Sequence, residues 1–338
     1  MDLNVWAWAG FLVLVFTLLA LDLGVVNRRA HVISIREALT FTLVVVTLAL
    51  LFNAFIWLAY DQHWLGLGLH VDRIDGAVND GRLAAVKFFT AYLIELSLSA
   101  DNVFVMAVIF QQLRIPPQFQ HRVLFWGILG AVIMRAAMIV LGVSLIARYH
   151  WILYAFGLFL IYTSVKLALT REETAVQAEE AFAIRLLRRF FPVTGQFNGP
   201  HFTLRVSGRR MLTPLAVALV MVEAMDLVFA LDSIPAAFAI TTDPFLIFTA
   251  NVFAILGLRS LYFALAGAME RFRYLKTSLS IILGLIGVKM LAQDWLKSLV
   301  GPRVNLYVLA LVVAILVVGV AASIVAAKRE KARSAVAS

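Results

Sequence analysis

Apart from the Lys and Arg residues that belong with the connections, ten ionisable side chains lie inside stretches that are otherwise apolar. They are the acids Asp22, Glu95, Asp101, Glu223, Asp226 and Asp232 and the bases Arg135, Lys166, Arg259 and Lys289. An ionised group at the centre of a bilayer costs about 2.5–3.5 kcal/mol on insertion scales, so each needs a partner, water or a bound ion. Asp101, Asp226, Arg135 and Arg259 fall near the middle of their stretches, which marks them as functional candidates. Lys166 and Lys289 fall near the ends, where a lysine can reach the interface with its ammonium, and Asp22 can pair there with a loop arginine. The oxygen donors beside the acids are Asn102, serine hydroxyls and backbone carbonyls. No histidine lies within a stretch apart from His150 at a boundary, and the chain has no cysteine. An all-oxygen donor set suits Mg²⁺, Ca²⁺ or Mn²⁺, whereas zinc and copper favour imidazole or thiolate. Six acids exceed four bases by the charge that one divalent cation would neutralise. A carboxylate that trades a proton for a metal is also a natural device for proton coupling.

The elements that hold these residues follow from composition. The chain has 338 residues, 62% hydrophobic and 14% charged, far from the balance of a water-soluble domain. Nine apolar stretches reach the length of about 20 residues needed to span a bilayer as helices. They run over 6–26, 38–59, 85–111, 123–147, 150–169, 212–240, 245–267, 273–292 and 305–327. The first follows Met1-Asp2-Leu3-Asn4, lacks a basic leader, and reads as a retained span rather than a signal peptide. The expected fold is an all-α, polytopic membrane bundle. Alternate connections carry nineteen and six Lys and Arg residues. The richer set belongs in the cytosol, which predicts an outer N-terminus and a cytosolic C-terminus. The net charge of +9 is therefore a topology signal, with some attraction to anionic lipid, and not the footprint of a nucleic-acid binder.

The charges repeat. Asp101 precedes Arg135 by 34 residues, and Arg135 precedes Lys166 by 31; Asp226, Arg259 and Lys289 are separated by 33 and 30. Asp101-Asn-Val-Phe104 matches Asp226-Leu-Val-Phe229, and Ile128-Leu-Gly130 matches Ile255-Leu-Gly257. This divides the chain into two first spans with an outer loop (1–84), a three-helix unit (85–169), a cytosolic linker (170–211), a second three-helix unit (212–292) and a final span with a basic tail (293–338). An odd number of spans inverts the second unit, and inverted repeats meeting at a charged midplane site are a transporter arrangement. At about 100° per residue, Glu95, Ser99 and Asn102 share one helix face, while Asp101 lies about 120° from Glu95. Glu223 and Asp226 are about 60° apart, and Asp232 points nearly opposite Glu223. Straight helices would not gather all these acids. Pro235 predicts a break beside Asp232 and Ser233, and Ser97 and Ser99 suit an interruption of the third span.

The 170–211 connection begins with Glu172, Glu173, Glu179 and Glu180 and continues into an apolar and basic run from Phe182 to Phe191. A linker is the plain expectation, and a docking site for a cytosolic partner the sharper one. The outer loop 60–84 carries His63, His70, Asp72 and Asp75, which reads as a solvated loop rather than a metal site.

These residues resemble the TerC/Alx family of bacterial membrane proteins. The first span reads Leu21-Asp22-Leu-Gly-Val25, followed by His31. The third reads Tyr92-Leu-Ile-Glu95-Leu-Ser-Leu-Ser-Ala-Asp101-Asn-Val-Phe-Val105, close to the family's first signature. Gln120-His-Arg-Val-Leu-Phe-Trp-Gly127 leads on to Arg135. Thr213-Pro-Leu and Glu223-Ala-Met-Asp226-Leu-Val-Phe-Ala-Leu-Asp232-Ser-Ile-Pro-Ala236 resemble the second signature, and Asn251-Val-Phe-Ala-Ile-Leu-Gly-Leu-Arg-Ser-Leu-Tyr262 follows. The likeness implies a multi-pass protein of the bacterial inner membrane related to LysE-type exporters, with members linked to Mn²⁺ export and others to tellurite resistance or redox modulation. It carries metal-ligand roles onto Glu95, Asp101, Asn102, Glu223, Asp226 and Asp232. Asp22, Arg135, Arg259, Lys166 and Lys289 are then charge-balancing or gating residues. The function expected is secondary export of a divalent cation, Mn²⁺ foremost, as transported substrate and without a tightly bound cofactor. A non-transporting scaffold for stress-resistance proteins is the alternative. An aspartyl protease is disfavoured, because the chain carries no Gly-x-Gly-Asp motif.

Overall fold

In lipid every backbone N–H and C=O must find its partner within its own segment, so apolar runs of this length fold as helices. A computed structural model describes residues 4–21, 35–149, 151–169, 191–197, 199–206, 209–265 and 274–337. Within these, the side chains of Asp101 and Arg259, of a few other residues and of 327–337 lie outside the described set, as does the whole of Asp22. The helices are α1 (Asn4–Leu21), α2 (Ile35–Asp61), α3 (Gly81–Gln112), α4 (Pro117–Arg148) and α5 (Ile152–Leu169). They continue as α6 (Pro214–Phe238), α7 (Pro244–Leu265), α8 (Leu275–Leu291), the short α9 (Gln293–Val300) and α10 (Val304–Ala337). Among the described residues seven helices are long and apolar enough to cross a membrane: α2 to α7 and α10. The shorter apolar helices α1 and α8 stand at the other two expected spans.

The chain shuttles between two ends of the bundle. At one end, here the loop end, residues 62–80 fold back onto the α6–α7 connection, where the Arg73 N–H donates to Thr242 Oγ1 at 3.0 Å. At the other, the hairpin end, β1 (Thr203–Val206) pairs antiparallel with β2 (Arg209–Leu212). This short hairpin lies in and just after the expected 170–211 linker, within a fold that is otherwise helical. Its sequence, with Ser207-Gly208 between two four-residue runs, carries a turn signal. The acidic start of that linker and most of its apolar and basic run lie outside the described residues.

Helices α3, α6 and α7 form the buried centre, flanked by α2, α4, α5, α8 and α10. Helix α3 packs on both α6 and α7, α4 packs on the same two, and α5 packs along α8. The last pair meets through small residues, as membrane helices that need close backbone approach generally do. A Cβ on Gly287 would stand 2.9 Å from the Gly157 carbonyl oxygen, and one on Gly157 would stand 3.3 Å from that of Gly287.

Two expectations of broken helices are corrected. Helix α6 runs unbroken through Pro235, which sits in its last turn where little helix remains to disrupt. Helix α3 is continuous past Ser97, whose hydroxyl donates to the Leu93 carbonyl one turn back. The acids consequently keep the angular separation of straight helices.

Candidate functional site

Helices α3, α4, α6 and α7 bring Glu95, Arg135, Asp226, Ser233 and Asn251 together in the buried centre. Arg135 is 1% exposed, so its guanidinium must satisfy its donors within the protein. Its Nη1 donates to Glu95 Oε1, to Asn251 Oδ1 at 2.5 Å and to Ser233 Oγ at 3.3 Å. Its other edge faces Asp226, with Nη2 at 3.2 Å from Oδ1 and Nε at 3.5 Å from Oδ2. The planar fork of an arginine suits such two-point contact with a carboxylate. Seven residues separate Asp226 from Ser233, two helical turns, so both project from one face of α6 toward Arg135. One cation thus ties two buried carboxylates from different helices.

Three oxygens on one face of α3 have no hydrogen-bond partner among the described residues: Glu95 Oε2, Ser99 Oγ and Asn102 Oδ1, all buried. They run from the Arg135 centre toward the hairpin end. A small cleft lined by Met106, Leu124, Gly127, Ile128, Val222 and Leu258 lies in the same half of the bundle and reaches Asp226. Toward the loop end, Phe88 and Tyr92 stack with ring centroids 6.4 Å apart and fill the space above Glu95.

The other sequence candidates are placed as follows. Asn102 belongs to the row of unpartnered oxygens. Glu223 is half-buried, its carboxyl lying against Gly130, where any Cβ would overlap it. Asp232 is not drawn in: it faces α5, where Thr163 Oγ1 donates to its Oδ1 at 3.2 Å. The unbroken course of α6 keeps it on the far face. Lys166 is exposed. Lys289 does not reach for the interface as its position suggested; it is 1% exposed and donates to the Ala239 carbonyl at 2.5 Å. Asp22 and the side chains of Asp101 and Arg259 lie outside the described residues. Among the described residues no three His, Asp or Glu side chains converge as a preformed metal cage. Ser233 and Asn251 were missed in the sequence, although a polar amide inside the run from Pro244 to Leu265 was a usable signal.

A second polar network occupies the loop end and corrects the reading of 60–84 as a solvated loop. His63 and His70 are exposed, but Asp72 is buried beside the fully buried Lys87. The Lys87 ammonium donates to Asp72 Oδ2 at 2.8 Å and Asn79 Oδ1 at 2.7 Å, and lies 2.8 Å from Asp75 Oδ2. Asp72 also accepts from Thr241 Oγ1, from the N–H and Oγ1 of Thr242, and from the Ile74 N–H. Burial opposes its ionisation, yet Lys87 and these donors prevail and hold its carboxyl below its ordinary value. Asp243 accepts from the Tyr60 hydroxyl at 2.8 Å; burial first, and then the Asp72 charge, push its carboxyl up.

The Integral membrane protein TerC family matches residues 81–331, from the start of α3 into α10. The chain belongs to the TerC family. Related proteins extend the likeness to α1 and α2. An uncharacterized membrane protein of Myxococcus xanthus, STKORF319, is 50% identical over 303 residues, 90% of this chain and 88% of the relative. The proposed membrane-bound redox modulator Alx of Escherichia coli strain K12 is 45% identical over 290 residues, 85% of this chain and 86% of the relative. An uncharacterized membrane protein of Rickettsia bellii is 37% identical over 320 residues, covering 94% and 97%. No solved structure matches the chain. For this TerC-family member the shared region begins at Gly81 and so contains every element of the Arg135 centre.

Proposed function

We propose that this TerC-family protein is a secondary transporter, not an enzyme, that exports a divalent cation, Mn²⁺ foremost, from the bacterial cytosol across the inner membrane. The observation that carries the reading is the pair of buried carboxylates, Glu95 and Asp226, bridged by Arg135 beside unpartnered oxygens of Glu95, Ser99 and Asn102. A buried acceptor without a donor is costly, so a row of them in a membrane protein favours a ligand that arrives and leaves. Hard oxygen donors favour Mn²⁺, Mg²⁺ or Ca²⁺ over softer metals.

With the hairpin end assigned to the cytosol by its excess of arginines, the row of oxygens and the cleft to Asp226 belong to the cytosolic half. The stacked Phe88 and Tyr92 then lie between the centre and the Lys87 network of the outer half. The arrangement suits a carrier in which two inverted three-helix units rock about the centre, with protons returning on the vacated carboxylates. The name of the Alx relative would bring a redox role, but a chain without cysteine has no thiol of its own to exchange.

The test is Mn²⁺ accumulation by inside-out membrane vesicles, comparing the native protein with Glu95→Gln and Asp226→Asn at matched membrane content. Accumulation by the native protein that both variants lose supports the reading. Competent vesicles in which the native protein carries no Mn²⁺, Mg²⁺ or Ca²⁺ overturn it and favour a scaffold role.

A further inference from the structure

The Arg135 centre is occupied by its own cation, and that fixes what a transported one must do. Glu95 Oε1 and both oxygens of Asp226 are engaged by the guanidinium, leaving Glu95 Oε2 as the single unengaged carboxylate oxygen of the pair. Beyond it toward the hairpin end, the unpartnered oxygens of α3 among the described residues are neutral, Ser99 Oγ and Asn102 Oδ1. A divalent ion arriving along that row meets a single unengaged oxygen of the Glu95–Asp226 pair while the Arg135 bonds persist. To gain both carboxylates of this pair it must take them from the guanidinium. We infer that Arg135 is a tethered competitor of the transported cation: it holds Glu95 and Asp226 when the site is empty, yields at least Glu95 when substrate binds, and by returning helps expel the substrate.

This rests on the proposed transport function and adds the regulation of its site. Three features support it. Arg135 reaches its partners from α4, whereas the carboxylates come from α3 and α6, so a relative shift of these helices changes how well one guanidinium can hold both. Asn251 and Ser233 give the guanidinium neutral acceptors beside the acids, so it can release Glu95 and keep partners. A permanently bound arginine charge cannot be lost by deprotonation, so only movement or competition frees the acids. Its function is therefore to keep affinity low enough for release, in the way a carrier needs.

The experiment measures Mn²⁺ binding to detergent-solubilised full-length protein through the loss of the free Mn²⁺ paramagnetic resonance signal, with vesicle transport measured in parallel. Arg135→Gln is expected to lower the Kd for Mn²⁺ by about tenfold or more while slowing transport. Arg135→Lys keeps a charge but cannot bridge both acids, and is expected to bind Mn²⁺ with an intermediate Kd. If Arg135→Gln does not retain native helicity, Arg135→Lys decides. Native protein that binds and transports Mn²⁺, together with folded variants whose Kd is unchanged or raised, overturns the competitor role alone. Native protein that neither binds nor transports Mn²⁺ overturns the transport reading, and this inference with it.

Discussion

Ser164 of α5 and Ser280 of α8 exchange hydrogen bonds: the Ser164 hydroxyl donates to the Ser280 carbonyl at 2.7 Å, and the Ser280 hydroxyl to the Ser164 carbonyl at 3.0 Å. Seven residues away on each helix, Gly157 and Gly287 present their carbonyls to one another's Cα in the same reciprocal way. Serine meets serine and glycine meets glycine while one chain number rises and the other falls, so the helices run antiparallel. Such a contact is what a two-fold axis lying in the membrane plane would generate from third helices of inverted units.

Because the glycine contact has no room, Gly287→Leu should be the more damaging change at this seam. Its side chain would meet Ile161 and the Gly157 carbonyl, and overpacking of this kind costs about 1–3 kcal/mol. Ser164→Ala removes one interhelical bond, worth about 0.6 kcal/mol on average in membrane proteins. Urea titration in mixed micelles, followed by tryptophan fluorescence, should rank the two in that order.

The acids of α6 should separate sharply in their effect on stability. Asp226→Asn leaves the buried Arg135 with a single charged partner, and breaking a buried pair typically costs about 3–5 kcal/mol. Asp232 is only partly buried and accepts from Thr163, so Asp232→Asn should cost about 1 kcal/mol or less. Thermal unfolding of the two purified variants checks the ranking, and equal losses would contradict the pairing described here.

What could be read from the sequence divides along the same line. Apolar runs and the charges inside them are local signals, so the spans and the candidacy of Glu95, Arg135 and Asp226 were readable before any geometry. Which acid meets which base was not, because Arg135 finds its partners on α3, α6 and α7 at separations of 40, 91 and 116 residues. Asn251 and Ser233 carry no charge and raised no alarm. Pro235 misled because its effect depends on where the helix ends: three residues before the end, it breaks almost nothing. The burial of Lys87 could not be read either, since it follows from residues 62–80 folding back over α3, which no local pattern encodes. Lys289 was likewise misjudged, having been read as a residue that could reach the interface when it turns inward to the Ala239 carbonyl.

The depressed Asp72 carboxyl makes the loop end acid-sensitive. An unfolded aspartate titrates near about pH 3.9, and a lower folded value means ionised Asp72 stabilises the fold at every pH above that. The contribution is fully present at neutral pH and is lost as pH falls below about 4 through the folded value. Asp72→Asn should cost about 1–3 kcal/mol at neutral pH, moderated because Lys87 keeps Asp75 and Asn79. The gap between native and variant should then close as pH falls below 4. Unfolding free energies of both proteins between pH 3 and pH 7 measure that difference directly, and a gap independent of pH would refute the assignment.

Lys87 should also control access to the centre from the loop end. It lies eight residues before Glu95 on α3, about 12 Å along the helix, with Phe88 and Tyr92 between them. Removing its ammonium takes away the cation that bridges Asp72 and Asp75, and their repulsion should loosen the loop from α3. The absence of native cysteine gives a clean assay: Ser99→Cys introduces one thiol at a buried position beyond the Phe88–Tyr92 stack. In sealed vesicles a membrane-impermeant maleimide applied from the loop side should label this single-cysteine protein slowly. Adding Lys87→Met should raise the rate severalfold, while labelling from the hairpin side should not increase. A loop-side rate unchanged by Lys87→Met would mean that the aromatic stack, and not the lysine network, is what closes this end.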